Sequence, residues 1–85
     1  MSSVPDAMRK KQLRLLLTFS TTTDAMAMEV YCAQHALPGR LIPVPSAISA
    51  GCGMCWSAPP DLRAQLTDAA AHAGSRIEGF HLLTI

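Results

Sequence analysis

The sequence predicts an α+β domain with a ferredoxin-like fold, an antiparallel four-stranded sheet with two helices on one face. The main observation is the order of the patterned segments, which reads strand, helix, strand, strand, helix, strand. The second is the length of 85 residues, which suits one domain. The split β-α-β-β-α-β sandwich is the simplest arrangement that covers one sheet face with two helices.

The first half of the chain supplies two strands and a helix. The stretch "LRLLLTF" at 13–19 is rich in large apolar residues, as in a central strand. "STTTDAM" then offers hydroxyls and an acid to cap a helix, which Pro38 and Gly39 end. The apolar stripe of this helix is Ala25, Met28, Cys32 and Ala36. "RLIPVP" at 40–45 is predicted as an edge strand, because proline cannot donate to a ladder.

The second half repeats the pattern. In 54–58, Met54, Trp56 and Ala58 alternate with Cys55 and Ser57, as in a strand with one face toward the helices. The second helix is predicted to open at Pro59, Pro60 and Asp61 and to end at Gly74. Its apolar stripe is Leu62, Leu66, Ala69 and Ala73. "RIEGFHLLTI" at 76–85 closes the chain as the last strand.

We expect a flexible arm at 1–11 and a single domain at 12–85.

Composition excludes several classes of protein. The formal net charge is +1 without a long basic stripe, which disfavours nucleic acid as a partner. The apolar stretch at 13–19 is too short to span a membrane and contains Arg14. An odd number of cysteines, three, cannot form a fully paired disulfide framework, so we expect a soluble cytoplasmic protein with reduced thiols.

The loop at 46–53 is the candidate functional site. It has about eight residues, where hairpins usually have roughly two to five. Gly51 and Gly53 flank Cys52 and let main-chain amides turn toward an anion. In the predicted fold, the loop lies beside the first turn of the first helix, whose partial positive charge stabilises a nearby thiolate. That turn contains Thr21, Thr22 and Thr23, and we expect Arg76 at the same end.

The residues alone leave several interpretations open. Cys52 is a reactive thiol or a small apolar filler of a turn. Cys55, at CxxC spacing from it, is a redox partner or a strand residue near the site. Cys32 lies on the apolar stripe and is predicted to be core. A zinc site within one chain is disfavoured, because the histidines are far apart and on different predicted elements; they are His35, His72 and His81. We therefore predict no metal and no cofactor.

The chain also resembles a known family. The stretches "LLLTFSTTTDAM", "AMEVYCAQHALPGRLIPVPSAISAGCGMCW" and "IEGFHLL" are similar to a family of small bacterial proteins named selenium/sulfur carrier-like. The most specific match is "LIPVP" followed by a serine-containing loop and "CG", which places Ser49, Cys52 and Gly53 on the family pattern. Thr21, Thr22 and Glu29 also fit. Cys52 matches the characteristic cysteine of the family.

The resemblance implies that Cys52 carries sulfur or selenium as a persulfide or selenopersulfide. The partners would be a donor such as a cysteine desulfurase and an acceptor protein, and the chain would be a carrier rather than an autonomous enzyme. Cys55 departs from the family pattern, which has a small apolar residue there, so the resemblance does not imply a dithiol mechanism. The CxxC spacing alone suggests that Cys55 assists release by forming a disulfide with Cys52. Two alternatives differ in class. One is a non-catalytic ligand-binding or subunit-interaction module that forms a homodimer through its sheet face. The other is a metal or redox sensor that uses the CxxC pair between two chains.

Overall fold

The computed structural model describes residues 11–48 and 52–85. Its strands are β1 (Leu13–Phe19), β2 (Arg40–Pro43), β3 (Met54–Ala58) and β4 (Ile77–Thr84), and its helices are α1 (Thr22–Gln34) and α2 (Arg63–Ala73). The order along the chain is the predicted β-α-β-β-α-β. Residues 1–10 of the predicted arm lie outside the described residues.

The four strands form one antiparallel sheet in the order β2-β3-β1-β4. This order places β1 between β3 and β4, so the two halves of the chain interlock, and it confirms the ferredoxin-like prediction. Thr18, near the end of β1, is paired with Cys55 of β3 and with Gly79 of β4. β2 pairs with β3 alone and carries Pro43 at the sheet edge, as predicted.

The hydrophobic core lies between the sheet and both helices. Every second residue of β1 and β3 points to this face. The buried core residues are Leu15, Leu17, Phe19, Ala25, Met28, Cys32, Trp56, Ala58, Leu66, Ala69 and Ala70. Cys32 is fully buried, and burial raises the pKa of its thiol. Both helices therefore cover one face, and Cys32 is a core residue.

The other face of the sheet is more enclosed than alternation predicts. Leu16, Thr18 and Cys55 point away from the helices, yet each is at most 1% exposed. Long side chains lie over neighbouring positions of this face. Arg14 donates through Nε to the Ser57 hydroxyl at 3.1 Å and through a terminal nitrogen to its carbonyl at 3.3 Å. The sheet thus buries side chains on both faces, and Cys55 is one of them.

The helix ends differ from the predicted ones. α1 ends at Gln34, and Ala36, predicted within the helix, adopts φ +55° just beyond it. The Leu37 amide donates to the Cys32 carbonyl at 2.9 Å, which closes a Schellman-type end with alanine where glycine is usual. The predicted start of the second helix, at Pro59 to Asp61, is also wrong. Pro60–Leu62 form a 3-10 turn, and α2 starts only at Arg63. Gly74 ends α2 at φ +71°, as predicted.

Trp56 fixes the start of β2. Its side chain is 3% exposed, and its indole edge lies over the main chain of Gly39. Gly39 has φ +126°, and a Cβ there would lie 2.7 Å from the Trp56 Cε2 atom and from the Ser57 carbonyl oxygen. The buried Trp56 Nε1 has no hydrogen-bond partner among the described residues. Gly39 is therefore required both by its backbone conformation and by close approach.

The outer surface of α1 is apolar. Met26 and Val30 are 56% and 54% exposed. They border an open groove of about 540 Å³ that also contacts Tyr31 and Ala73. In the described ranges, neither helix combines the length and hydrophobicity needed to cross a bilayer.

Candidate functional site

The site begins where the hairpin between β2 and β3 opens into a loop. The Val44 amide donates to the Gly53 carbonyl at 3.0 Å, which continues the pairing one step beyond the strands. The Ile48 amide donates to the Pro45 carbonyl at 2.9 Å and forms a turn on the β2 side. Ser49 and Gly51, both predicted to support the site, lie outside the described residues. Gly53 has φ +77°, which leads the chain from Cys52 into β3.

The main chain of Met54 holds the Cys52 sulfur. Sγ lies 3.1 Å from the Met54 carbonyl oxygen and 3.4 Å from the Met54 amide nitrogen. The thiol can donate its S–H to the carbonyl, whereas a thiolate can accept the amide N–H. Cys52 is half-buried, and its side chain packs against the core beneath the helices. Cys52 is therefore partly exposed, and its sulfur is fixed in position.

Cys55 occupies a different environment. It lies in β3 between Thr18 of β1 and Ile42 of β2, on the sheet face away from the helices, and it is fully buried. Burial, with a further contribution from the nearby Cys52 thiol, raises the pKa of Cys55 from 9.0 to about 11. The three cysteines are free thiols. The two members of the CxxC motif thus differ in exposure, and burial makes Cys55 less acidic than an ordinary thiol.

The first turn of α1 lies at the same end of the sheet as Cys52. β1 runs toward this end, and its pairing of Thr18 with Cys55 brings the start of β3 there as well. Thr21 is the N-cap of α1, and Thr22 and Thr23 are exposed in the first turn. In the part of the chain that the structure describes, no hydrogen bond joins these threonines to Cys52. The N-terminus of α1 can therefore act on the Cys52 sulfur only through the electric field of its partial positive charge.

Asp24 organises the N-terminus of α1. Its amide donates to the Thr21 hydroxyl oxygen at 3.1 Å, and that hydroxyl donates to its carboxylate at 2.8 Å. The carboxylate also accepts the Arg76 amide at 3.1 Å and lies 3.3 Å from the Arg76 guanidinium. Ser75 donates to the Asp24 carbonyl at 2.7 Å. The Arg76 charge, predicted to support the thiol, is therefore paired with Asp24.

This network predicts acid sensitivity. The Thr21 hydroxyl, the Arg76 amide and the Arg76 guanidinium hold the pKa of Asp24 below its ordinary value of 3.8. Because the folded-state pKa is depressed, the stabilisation is present above pH 3.8 and is lost as the pH falls through the folded-state value. We expect Asp24→Asn to lower the midpoint of urea unfolding at pH 7 and to flatten its fall in acid.

The matched control for this prediction is Asp68→Asn, which changes an exposed carboxylate on α2. It should leave both the midpoint and its acid profile close to the wild type. Unfolding curves between pH 2 and pH 7 provide the comparison. Parallel acid profiles for Asp24→Asn and the wild type would contradict the assignment.

The histidines contact aromatic and strand residues of the domain. His35 stacks on Tyr31 at 4.1 Å between ring centroids, and His72 stacks on the same ring at 6.2 Å. His81 lies over Gly79, because a Cβ at Gly79 would be 3.3 Å from its Nε2 atom. Among the described residues, no three His, Cys, Asp or Glu side chains are grouped as metal ligands.

Comparison with protein families identifies the chain. Residues 14–82, most of the sequence, match the family described as "Putative Se/S carrier protein-like". The chain belongs to this family. The search of curated proteins and the search of solved structures returned no match. The Se/S carrier-like match extends over Cys52 and Cys55, and it includes the first turn of α1 and Arg76.

Sequence reasoning missed two features of this Se/S carrier-like chain. The first is the Met54 main chain, which contacts Cys52 through atoms that every residue has, so no residue type signals it. The second is the pairing of Asp24 with Arg76. The spacing of Thr21 and Asp24, three residues apart before an apolar helix, resembles a capping box and could have indicated the role of this acid at the helix start.

The difference between the two thiols predicts selective alkylation. With a pKa of about 11, Cys55 is about 0.1% thiolate at pH 8, and burial restricts access further. We expect iodoacetamide to modify Cys52 of the native protein at least ~100-fold faster than Cys55. Time-resolved mass spectrometry measures both rates, and Cys52→Ser should remove the fast phase. Equal rates in the native protein would refute the distinction.

Proposed function

We propose that this chain carries sulfur or selenium on Cys52 and hands it to a partner protein. Family membership supports a carrier role. The observation that carries the assignment to Cys52 is that the residue is only half-buried while its sulfur is held 3.1 and 3.4 Å from the Met54 carbonyl oxygen and amide nitrogen. A carrier needs an accessible thiol of fixed orientation and does not need a metal or a second substrate pocket.

The loading step is a thiol exchange. A donor such as a cysteine desulfurase presents a persulfide, and the Cys52 thiolate attacks its outer sulfur. The donor S–S bond breaks, its electron pair leaves with the donor sulfur, and a new S–S bond forms on Cys52. Selenium follows the same path as a selenopersulfide. The overall change is neither an oxidation nor a reduction, since the transferred atom keeps its oxidation state.

Two features of the site suit this chemistry. The Met54 N–H can stabilise the Cys52 thiolate before the attack. Once sulfur is attached, the S–H bond to the Met54 carbonyl is lost, so the outer sulfur is directed away from that oxygen. We propose that Thr21, Thr22 and Thr23 support the thiolate through the field of the helix end. We also propose a reducing compartment, the cytoplasm, as the place where the three thiols stay free.

The dimer alternative has less support. It requires the sheet face away from the helices to gain stability by burying apolar surface. Leu16 and Cys55 are already fully buried within one chain and have nothing to gain from a second copy.

The test is loading by a cysteine desulfurase with cysteine as substrate. We expect the intact mass to rise by about 32 Da, one sulfur atom, as in the first step of thiol exchange. Cys52→Ser should lose the adduct almost completely. Cys32→Ala, which alters a buried core thiol, is the matched control and should keep it. An adduct of undiminished yield in Cys52→Ser would overturn the proposal.

A further inference from the structure

We propose that the atom carried by Cys52 leaves by transfer to a thiol that the acceptor protein supplies, and that Cys55 takes no part in its release. This inference rests on the proposed carrier function. It places the protein between two reactions of the same class, persulfide exchange with a donor and persulfide exchange with an acceptor thiol. It also removes the disulfide-forming role that the CxxC spacing suggests.

The first argument is the orientation of the two thiols. Cys52 packs against the core beneath the helices, and its sulfur lies on the Met54 main chain. Cys55 precedes Trp56, which points into that core, so Cys55 points to the opposite face. The two thiols are near enough for Cys52 to contribute to the raised pKa of Cys55, but Cys52 contacts the core on the helix side whereas the Cys55 side chain lies on the other face of the sheet.

The second argument is the packing of Cys55. β3 is an interior strand, and Cys55 is held between Thr18 and Ile42 of its two neighbours with no exposed surface. A disulfide requires the two Cβ atoms to approach within about 3.5–4.5 Å with a fixed dihedral angle. In the structure the two cysteines are free thiols, and the buried Cys55 side chain would have to move out of its packed position to attack Cys52.

The third argument is protonation. The nucleophile in thiol exchange is the thiolate. Burial keeps Cys55 in its neutral form well above physiological pH. A thiol on an acceptor protein reaches Cys52 from solvent, so burial neither blocks its approach nor raises its pKa.

The transfer balances without a reductant. The acceptor thiolate attacks the outer sulfur of the Cys52 persulfide and forms a new S–S bond. The bond between this sulfur and Cys52 Sγ breaks, and its electron pair returns to Sγ as a thiolate beside the Met54 N–H. Attack by Cys55 would instead expel hydrosulfide and leave a Cys52–Cys55 disulfide, which a separate reductant would have to reopen.

The experiment compares the wild type with Cys55→Ala and uses Cys32→Ala as a matched buried-thiol control. Each protein is loaded with inorganic polysulfide, desalted, and incubated alone or with a cysteine-containing peptide. Sulfide release, intact mass and peptide persulfide are measured. Without peptide, we expect all three proteins to keep the +32 Da adduct with rates of sulfide loss within about twofold. With peptide, all three should transfer the sulfur at similar rates and return to the reduced mass.

A wild-type product 2 Da lighter than the reduced protein, with sulfide release that falls at least ~10-fold in Cys55→Ala, would overturn this inference and leave the carrier function intact. Absence of any adduct on Cys52 after polysulfide treatment would overturn both. If Cys55→Ala unfolds, as circular dichroism would show, Cys55→Ser and the mass of the wild-type product decide the question.

Discussion

Gly39→Ala is expected to destabilise the domain by about 3 kcal/mol, through overpacking combined with backbone strain. The new Cβ would lie 2.7 Å from the Trp56 ring and from the Ser57 carbonyl oxygen, and neither can retreat. Trp56 is buried in the core, and Ser57 belongs to an interior strand. The φ of +126° is also unfavourable for alanine.

Thermal unfolding measures this loss against Gly74→Ala. Gly74 has φ +71° with open space around its missing Cβ, so its substitution carries the backbone cost alone, about 1 kcal/mol. For a domain of this size each kcal/mol shifts Tm by roughly 4–8 °C. Gly39→Ala should therefore melt about 10 °C or more below Gly74→Ala. Equal melting temperatures would contradict the close approach of Trp56 and Gly39.

Phe19→Ala is expected to cost about 3–5 kcal/mol, the usual cost of removing a buried aromatic ring. Phe19 is the last residue of β1 and is fully buried in the core shared by the sheet and both helices. The protein has a total stability of roughly 4–13 kcal/mol by its length, so this single change removes much of it. Because β1 leads directly into the cap of α1, the loss also affects the end of the sheet that carries Cys52.

Phe19→Leu keeps most of the apolar volume and should cost distinctly less, roughly 1–2 kcal/mol. Urea unfolding of both variants gives the difference. If Phe19→Ala does not fold, the urea midpoint of Phe19→Leu still reports on the packing around position 19. A loss below about 1 kcal/mol for Phe19→Ala would show that the ring is not packed as described.

The sequence predicted the order of strands and helices because apolar periodicity, prolines and capping residues all indicated the same boundaries. Gly74 and Pro43 were interpreted correctly, since each residue type has a restricted use at those positions. Ala36 was not. Its left-handed conformation depends on the Leu37 bond to Cys32 and has no signal in an alanine. This helix end is determined by a main-chain hydrogen bond, which the residue type at position 36 does not signal.

The position of Cys52 relative to α1 was predicted, whereas the roles assigned to the site residues stay predictions. The fold placed Cys52 and the start of α1 at one end of the sheet, as register now shows through Thr18 and Cys55. Strand alternation indicated that Cys52 and Cys55 have different environments. It could not predict the complete burial of Cys55, which depends on the side chains of the neighbouring strands. Arg76 was predicted to support the thiol, but in the structure it pairs with Asp24. The pairing was not predicted because the two residues are distant in sequence.

The measurement that tests the carrier function most directly is the location of the sulfur in loaded wild-type protein. Cys52 and Cys55 fall on one tryptic peptide between Arg40 and Arg63, and fragmentation between Gly53 and Met54 separates them. After loading by a desulfurase and alkylation, we predict the additional 32 Da, one sulfur atom, on fragments that contain Cys52 and not on those that contain Cys55. Sulfur found on Cys55 or Cys32, with Cys52 unmodified, would contradict the account.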